Sequence, residues 1–368
     1  MSLPGFVGGR AGCLRGYDPV ATARGTVPAT DHRPPTTGHR PPATDHRPPT
    51  TGHRPPTTDH RPPTTDARSL LRMKQALRRL RASQPFNYLA TRSIRALFSA
   101  TGLHSEFVVR HLHPVGTVQC TLPNGRTLRI WSRADDWVSN QLYWRGWQGY
   151  EPETVPLFFR LALRARVTLD VGAYVGFFTL LAAHANPAGR VFAFEPLPAV
   201  YERLERNVAL NRALNVQCAR SAVGECDGTA QFFHVDLGLP TSSSLSYEFM
   251  RSTDQLTSVE VPVMSVDTFA RDHHLDGIDL MKIDTESTEP EVLRGALETL
   301  RRDHPSIVCE VLAGRGSERA LEEVLRPLGY RYYLLTPEGP VLRERIEGHP
   351  GWLNYLFTTL APHEVDRL

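Results

Sequence analysis

The chain has 368 residues, a formal net charge of +3 at pH 7, a hydrophobic fraction of 40% and 30 prolines. So small a net charge gives no global field for nucleic acid, and no uncharged run approaches the roughly 20 apolar residues of a membrane span. The N-terminal MSLPGFVGGRAGCLRG lacks the apolar stretch of a signal peptide. The five cysteines (Cys13, Cys120, Cys218, Cys226, Cys309) are scattered without a C-x-x-C pair, so they read as reduced thiols of a cytoplasmic protein.

Residues 31–65 are five heptads of the form [DG]HRPP[TA]T. Two prolines per repeat and no apolar position rule out a coiled coil, so residues 1–66 are expected to be a disordered tail with polyproline II character. The repeat reads as an in-frame DNA expansion, and Met73, shortly after it, is a plausible translation start. Residues 67–104 have a helical pattern, with Leu70, Leu71, Leu77 and Leu80 set among arginines. Residues 107–132 alternate, and Asn124-Gly125 marks a hairpin turn. Together, residues 67–150 form an expected helix and β-hairpin extension. Trp137, Trp144 and Trp147 follow in one short segment, a hydrophobic lid of the kind that walls a pocket.

From residue 151 to 368 a main domain is expected. Strand candidates at 167–171, 191–195, 215–220, 279–284, 306–311 and 329–335 alternate with helical patterns such as PAVYERLERNVALN and TEPEVLRGALETLRR. Such alternation gives right-handed βαβ units and a mostly parallel sheet covered on both faces. Further β stretches at 229–235 and 258–264 flank a serine run. The late NYLFTTL is expected to enter by a hairpin, antiparallel, beside 329–335.

The first strand runs into LDVGAYVGFFTLLAAH, residues 169–184. A phosphate-cradling P-loop needs a Lys after its last glycine, and a dinucleotide turn needs a second glycine where this chain has Tyr174. Asp170, Gly172 and Gly176 instead suit a ligand bearing an ammonium and a carboxylate, the two groups of methionine's amino-acid end. The helix opening near Gly176 offers amides to the anion. Glu195 ends the second strand 25 residues past Asp170, where an acidic residue binds ribose hydroxyls. Ser221 and Ala222, after the third strand, are assigned to the adenine edge.

LDVGAYVGFFTLLAAH, VFAFEPLPAVYERLERNVALN, MKIDTESTEPEVLRGA and IVCEV, in this order, resemble the successive motifs of the FkbM family of S-adenosylmethionine-dependent methyltransferases. The resemblance spans about residues 137–360. It implies a class I methyltransferase fold, a Rossmann-like α/β sheet with an antiparallel last strand. It also implies S-adenosylmethionine as cofactor, held by Asp170, Gly172, Ala173, Gly176, Glu195, Ser221 and Ala222. The implied reaction is O-methylation of a small acceptor, a sugar or natural-product hydroxyl. Many members carry D-x-E-G after the fourth strand, where this chain has Asp284-Thr285-Glu286-Ser287.

Removing a proton from a hydroxyl calls for a general base, and Asp284 and Glu286 are the expected catalytic residues. Thr288 and Glu291 read as a capping box, with Glu289 and Glu291 as capping residues. Glu310, His234, His273 and His274 are further base candidates. No metal is expected, because Asp284 and Glu286 lack a clear third ligand. Two other functions share these features: an NAD-type oxidoreductase, and a catalytically silent interaction protein that keeps the fold.

Overall fold

The computed structural model describes residues 84–102, 105–235, 243–244 and 256–368. The heptad tail, Leu70 to Leu80 and most of 237–257 lie outside the described residues. Helices α1 (Gln84–Thr101) and α2 (Glu106–His111) precede a hairpin of β1 (Val115–Thr121) and β2 (Thr127–Arg133). Gly125 closes its turn at a φ of 77°, donating its amide to the Leu122 carbonyl, a conformation that favours glycine. Helices α3 (Trp137–Arg145) and α4 (Val155–Ala162) lead into the main sheet.

The first half of that sheet is β3 (Val167–Val171), α5 (Phe177–Ala185), β4 (Arg190–Phe194), α6 (Pro198–Asn211) and β5 (Val216–Ala219). The chain then builds a second sheet from β6 (Ala222–Val223), β7 (Gly228–Val235), β8 (Ser243–Ser244) and β9 (Leu256–Met264), in the order β6-β9-β7-β8. It returns through α7 (Val266–Asp272), β10 (Leu280–Ile283), α8 (Glu289–Arg294), α9 (Leu297–Asp303), β11 (Ser306–Glu310) and α10 (Glu318–Leu325). The last elements are β12 (Arg331–Thr336), β13 (Gly339–Arg343), β14 (Asn354–Thr358) and α11 (Pro362–Val365).

The main sheet has the order β13-β12-β14-β11-β10-β3-β4-β5. Strands β11, β10, β3, β4 and β5 are mutually parallel, and β14 runs antiparallel between β11 and β12. This is the class I methyltransferase sheet that the motifs implied, with β13 added at one edge. All five residues of β3 are buried, as a strand covered on both faces requires.

Three local expectations are corrected. The late strand does lie antiparallel beside β12, but the direct hairpin partner of β12 is β13. The pattern after residue 288 forms two helices: α8 ends at Gly295, where a Cβ would stand 2.0 Å from the Gly224 carbonyl oxygen. The capping box does not form, because Thr288 makes no side-chain cap and Glu291 pairs with Arg294 at 3.0 Å. Cys120, Cys218 and Cys309 are free thiols.

One face of α6 fastens the hairpin to the sheet. Asn207 accepts from the Trp131 amide at 2.8 Å and donates to the Val175 carbonyl at 2.8 Å. One turn on, Asn211 accepts from the Arg129 amide at 2.9 Å and donates back to its carbonyl at 2.6 Å. One turn earlier, Arg203 pairs with Asp135 at 2.9 Å and lies over the Trp131 ring. These groups satisfy backbone atoms of β2 that no neighbouring strand reaches. Asp136, beside Asp135, caps α3 by accepting from the Ser139 amide at 2.7 Å. Asn207→Ala strands two backbone groups at roughly 1–3 kcal/mol each, so a loss of about 2–6 kcal/mol in unfolding free energy is expected. Urea denaturation checks it.

Candidate functional site

In an open α/β sheet the crevice lies beyond the carboxyl ends of the strands, where the strand order reverses. Here the reversal falls between β3 and β10. The loops there are pressed together: a Cβ on Gly172 would stand 1.9 Å from the Asp284 carbonyl oxygen. Gly172, at a φ of 81°, is therefore required twice, for its backbone angle and for its missing side chain. Its amide and that of Ala173 both donate to the Phe194 carbonyl, at 3.1 and 2.9 Å.

Above this contact lies a cleft of about 950 Å³, solvent at its mouth included, lined by Gly172, Tyr174, Glu195, Ser221, Ala222, Asp284, Glu286 and Glu310 among others. Trp137 and Tyr150 also line it. A recess shares Gly172, Tyr174 and Asp284 with the cleft and adds Asp170, Ala173 and Lys282. Most of the expected site thus converges. Gly176 lines neither space: its φ is 87°, and a Cβ there would meet Leu204 Cδ1 at 2.5 Å, so it lets α6 pack against the turn. Trp144 and Trp147 pack against the core and only Trp137 of the three reaches the cleft. His234 and His273 are also absent from the lining; His234 contacts Thr257, and His273 packs on Phe269.

Glu195 is buried, its Oε2 accepting from the Tyr174 amide at 3.2 Å and its Oε1 from the Leu197 amide at 2.9 Å. Burial pushes its carboxyl up to about 8, against the pull of those two bonds. Asp170 accepts a short hydrogen bond from the Thr179 hydroxyl, and burial raises it to about 6. The Ser221 hydroxyl is spent on the Ala222 and Pro262 carbonyls, at 2.7 and 3.1 Å, so this turn offers the cleft its backbone and the Ala222 methyl.

At the other end, burial followed by the charges of Asp284 and Glu289 lifts Glu286 to about 8. Ser287 takes a φ of 87° where glycine is the common residue of the resembling family, and its buried hydroxyl has no hydrogen-bond partner. Glu289 holds this loop, accepting from the Thr285 and Ser287 amides at 3.2 and 3.0 Å; it is the capping residue the sequence allowed, reached by a different geometry. Glu310 is also pushed up, by burial and then by Asp284.

Sequence reasoning missed Lys282, Glu151 and Asn354. Lys282 is fully buried, with Nζ 3.1 Å from Asp284 Oδ2 and 3.4 Å from Asn354 Oδ1. Asn354 donates to Glu151 at 2.9 Å. A lysine inside the all-buried strand LMKI was the available signal, since such a cation needs partners. Among the described residues no group of His, Cys, Asp and Glu is arranged to hold a metal ion, and no helix is long and apolar enough to cross a membrane.

The sheet order, with a cleft at its switch point, is that of a class I methyltransferase fold. Residues 170–332 match the methyltransferase FkbM domain. Over those residues the chain matches the family that the four motifs resemble. It is 29% identical over 188 residues to methyltransferase sdnD of Sordaria araneosa, covering 44% of this chain and 72% of that protein. It is 28% identical over 199 residues to the 31-O-demethyl-FK506 methyltransferase FkbM of Streptomyces tacrolimicus, covering 48% and 75%. Among solved structures, the methyltransferase FkbM of Methylobacillus flagellatus KT aligns at a TM-score of 0.37 and 17% identity, over 61% of this chain and 55% of that one.

The charges of this site set a pH dependence of stability. Glu195 and Glu286 both titrate near 8 in the folded chain, against an ordinary value of 4.5. The folded state therefore holds protons that the unfolded state has released, and stability falls as pH rises through about 8. The ligand-free protein is expected to melt at a lower temperature at about pH 9 than at about pH 6, and Glu195→Gln to flatten that slope. Scanning fluorimetry across this range checks both.

Proposed function

We propose that this chain transfers the methyl group of S-adenosylmethionine to a hydroxyl oxygen of a small acceptor, a sugar or a natural product. The observation that carries this reading is the convergence of the Gly172 turn, Glu195 and the Asp284–Glu286 loop on one cleft. The residues fit the cofactor's chemistry. Glu195 stands at the carboxyl edge of β4, where it would accept from ribose hydroxyls. Gly172, Ala222 and Phe194 bring backbone and small or flat surfaces to the same wall. The recess holds Asp170 and Asp284, which would accept from an ammonium. The curated relatives named above are natural-product methyltransferases by name where a compound is given.

Bound there, the cofactor would supply an electrophilic methyl group on sulfur, so the protein has to orient the acceptor oxygen, exclude water and remove one proton. Trp137 and Tyr150 wall the cleft and shield it. Glu286 is the base this reading favours: its value of about 8 makes it a stronger proton acceptor than an ordinary carboxylate once ionised. It takes the hydroxyl proton as the oxygen gains its methyl group. Asp284, paired with Lys282, stands beside it and orients the acceptor. Glu310 completes the acidic rim.

Glu195→Ala is expected to weaken S-adenosylhomocysteine binding, because it removes a hydrogen-bond partner of the ribose hydroxyls, worth roughly 0.5–1.5 kcal/mol per bond. Calorimetry tests this, and unchanged affinity would remove Glu195 from the ribose role. Turnover should rise with pH through about 8 as Glu286 ionises. Glu286→Gln should remove that rise and lower turnover at least about tenfold with cofactor affinity nearly unchanged. An assay with labelled cofactor and a panel of sugars and glycosylated natural products reads both effects.

A further inference from the structure

The cleft has one buried cation beneath it, and that cation is shared. Lys282 sits in the middle strand of the sheet, and its ammonium group faces carboxylates from four elements. Asp284 and Glu286 come from the loop after β10, Glu310 from β11, Asp170 from β3 and Glu151 from the stretch before α4. The Phe178 ring of α5 closes the last side, 5.0 Å from Nζ. Only Asp284 is in direct contact, at 3.1 Å; Glu151 is reached through Asn354, whose Oδ1 faces Lys282 at 3.4 Å while its Nδ2 donates to Glu151 Oε2 at 2.9 Å. Glu151 in turn is hydrogen-bonded to Tyr150, which lines the cleft. The chain of contacts therefore leaves the cleft at Asp284, passes through the buried ammonium and β14, and re-enters the cleft wall at Tyr150.

We propose that Lys282 is the positioning residue of the transfer site: its ammonium group fixes the orientation of Asp284 and, through Asn354 and Glu151, that of Tyr150 in the cleft wall. Asp284 has one side chain to offer, and a bond from Lys282 to Oδ2 leaves Oδ1 to face the cleft. Without the cation, Asp284, Glu286, Glu310 and Glu151 would repel one another across a space with little water, and protons would replace the lost charge. Lys282 never touches the acceptor in this scheme; it acts through Asp284 and Asn354. The functional part of the proposal rests on the methyltransferase reading, while its structural part stands on the ligand-free protein.

The test therefore begins without ligand. Full-length protein carrying carbon-13 at the glutamate carboxyls is titrated by NMR, with the Glu151 signal identified by its loss in Glu151→Gln. In Lys282→Met, the Glu151 midpoint is expected to move up by at least about one unit, since the nearest positive charge is gone. Asn354→Ala keeps Lys282 but cuts the link, and should move the same midpoint up by less. If Lys282→Met alone does not fold, Lys282→Gln, which keeps a donor for Asp284 while removing the charge, is titrated in its place. An unchanged Glu151 midpoint in these variants overturns the proposal, since a merely space-filling lysine would leave that titration alone. S-adenosylhomocysteine calorimetry then reads the functional part: Lys282→Met should bind roughly tenfold more weakly at pH 7. Wild-type affinity in that variant overturns the positioning role at the cofactor recess. Failure of the wild-type protein to bind S-adenosylhomocysteine overturns the cofactor reading instead and leaves the ligand-free result intact.

Discussion

The site depends on one close approach, that of the Gly172 backbone to the Asp284 carbonyl across the ends of β3 and β10. Parallel strands in register bring their ends to the same level, with Val171 beside Ile283 and beside Phe194. What happens beyond that level is decided by side-chain volume. A bare backbone at residue 172 lets the two loops meet, which turns Asp284 and Glu286 toward the same cleft as Glu195. Any side chain at 172 would push the loops apart and separate the two ends of the site. The cleft is a consequence of that contact more than of any single polar residue.

A second constraint is electrostatic. Burial raises Glu151, Asp170, Glu195, Glu286, Glu289 and Glu310 together, and their mutual repulsion adds to the effect. Such a collection is costly to assemble in a folded core. It is held by three kinds of partner: backbone amides at Glu195 and Glu289, the side-chain donors Thr179 and Asn354 at Asp170 and Glu151, and the ammonium of Lys282. The amides fix geometry and the ammonium fixes charge. A site made in this way keeps groups that exchange protons near neutrality.

Much of this was legible in the chain because it is local. Alternating strands and helices, the Asp170–Gly176 turn and the Glu195 strand end are patterns within a few dozen residues, and each appears where its pattern placed it. Gly176 shows the limit: its spacing marked it as a loop glycine, but Leu204, on a later helix, is what requires it. Lys282, Asn354 and Glu151 were illegible for a related reason. Glu151 and Asn354 are 203 residues apart in sequence, and nothing periodic links them. The strand β13 escaped notice because Pro340 and its mostly exposed residues give an edge strand little pattern to show. Asn207 and Asn211 look like the solvent face of a helix, and only the hairpin lying over them makes that face interior.

The FkbM domain begins at Asp170, yet Trp137 and Tyr150, which also line the cleft, lie before it. They are carried by a segment anchored through Asp136 at the start of α3 and through the Arg203, Asn207 and Asn211 face of α6. The matched segment thus supplies most of the cleft lining, and a short stretch upstream of it, fastened to one helix, supplies the rest. The wall of this cleft is built from two pieces of chain, and the smaller piece takes its position from the larger.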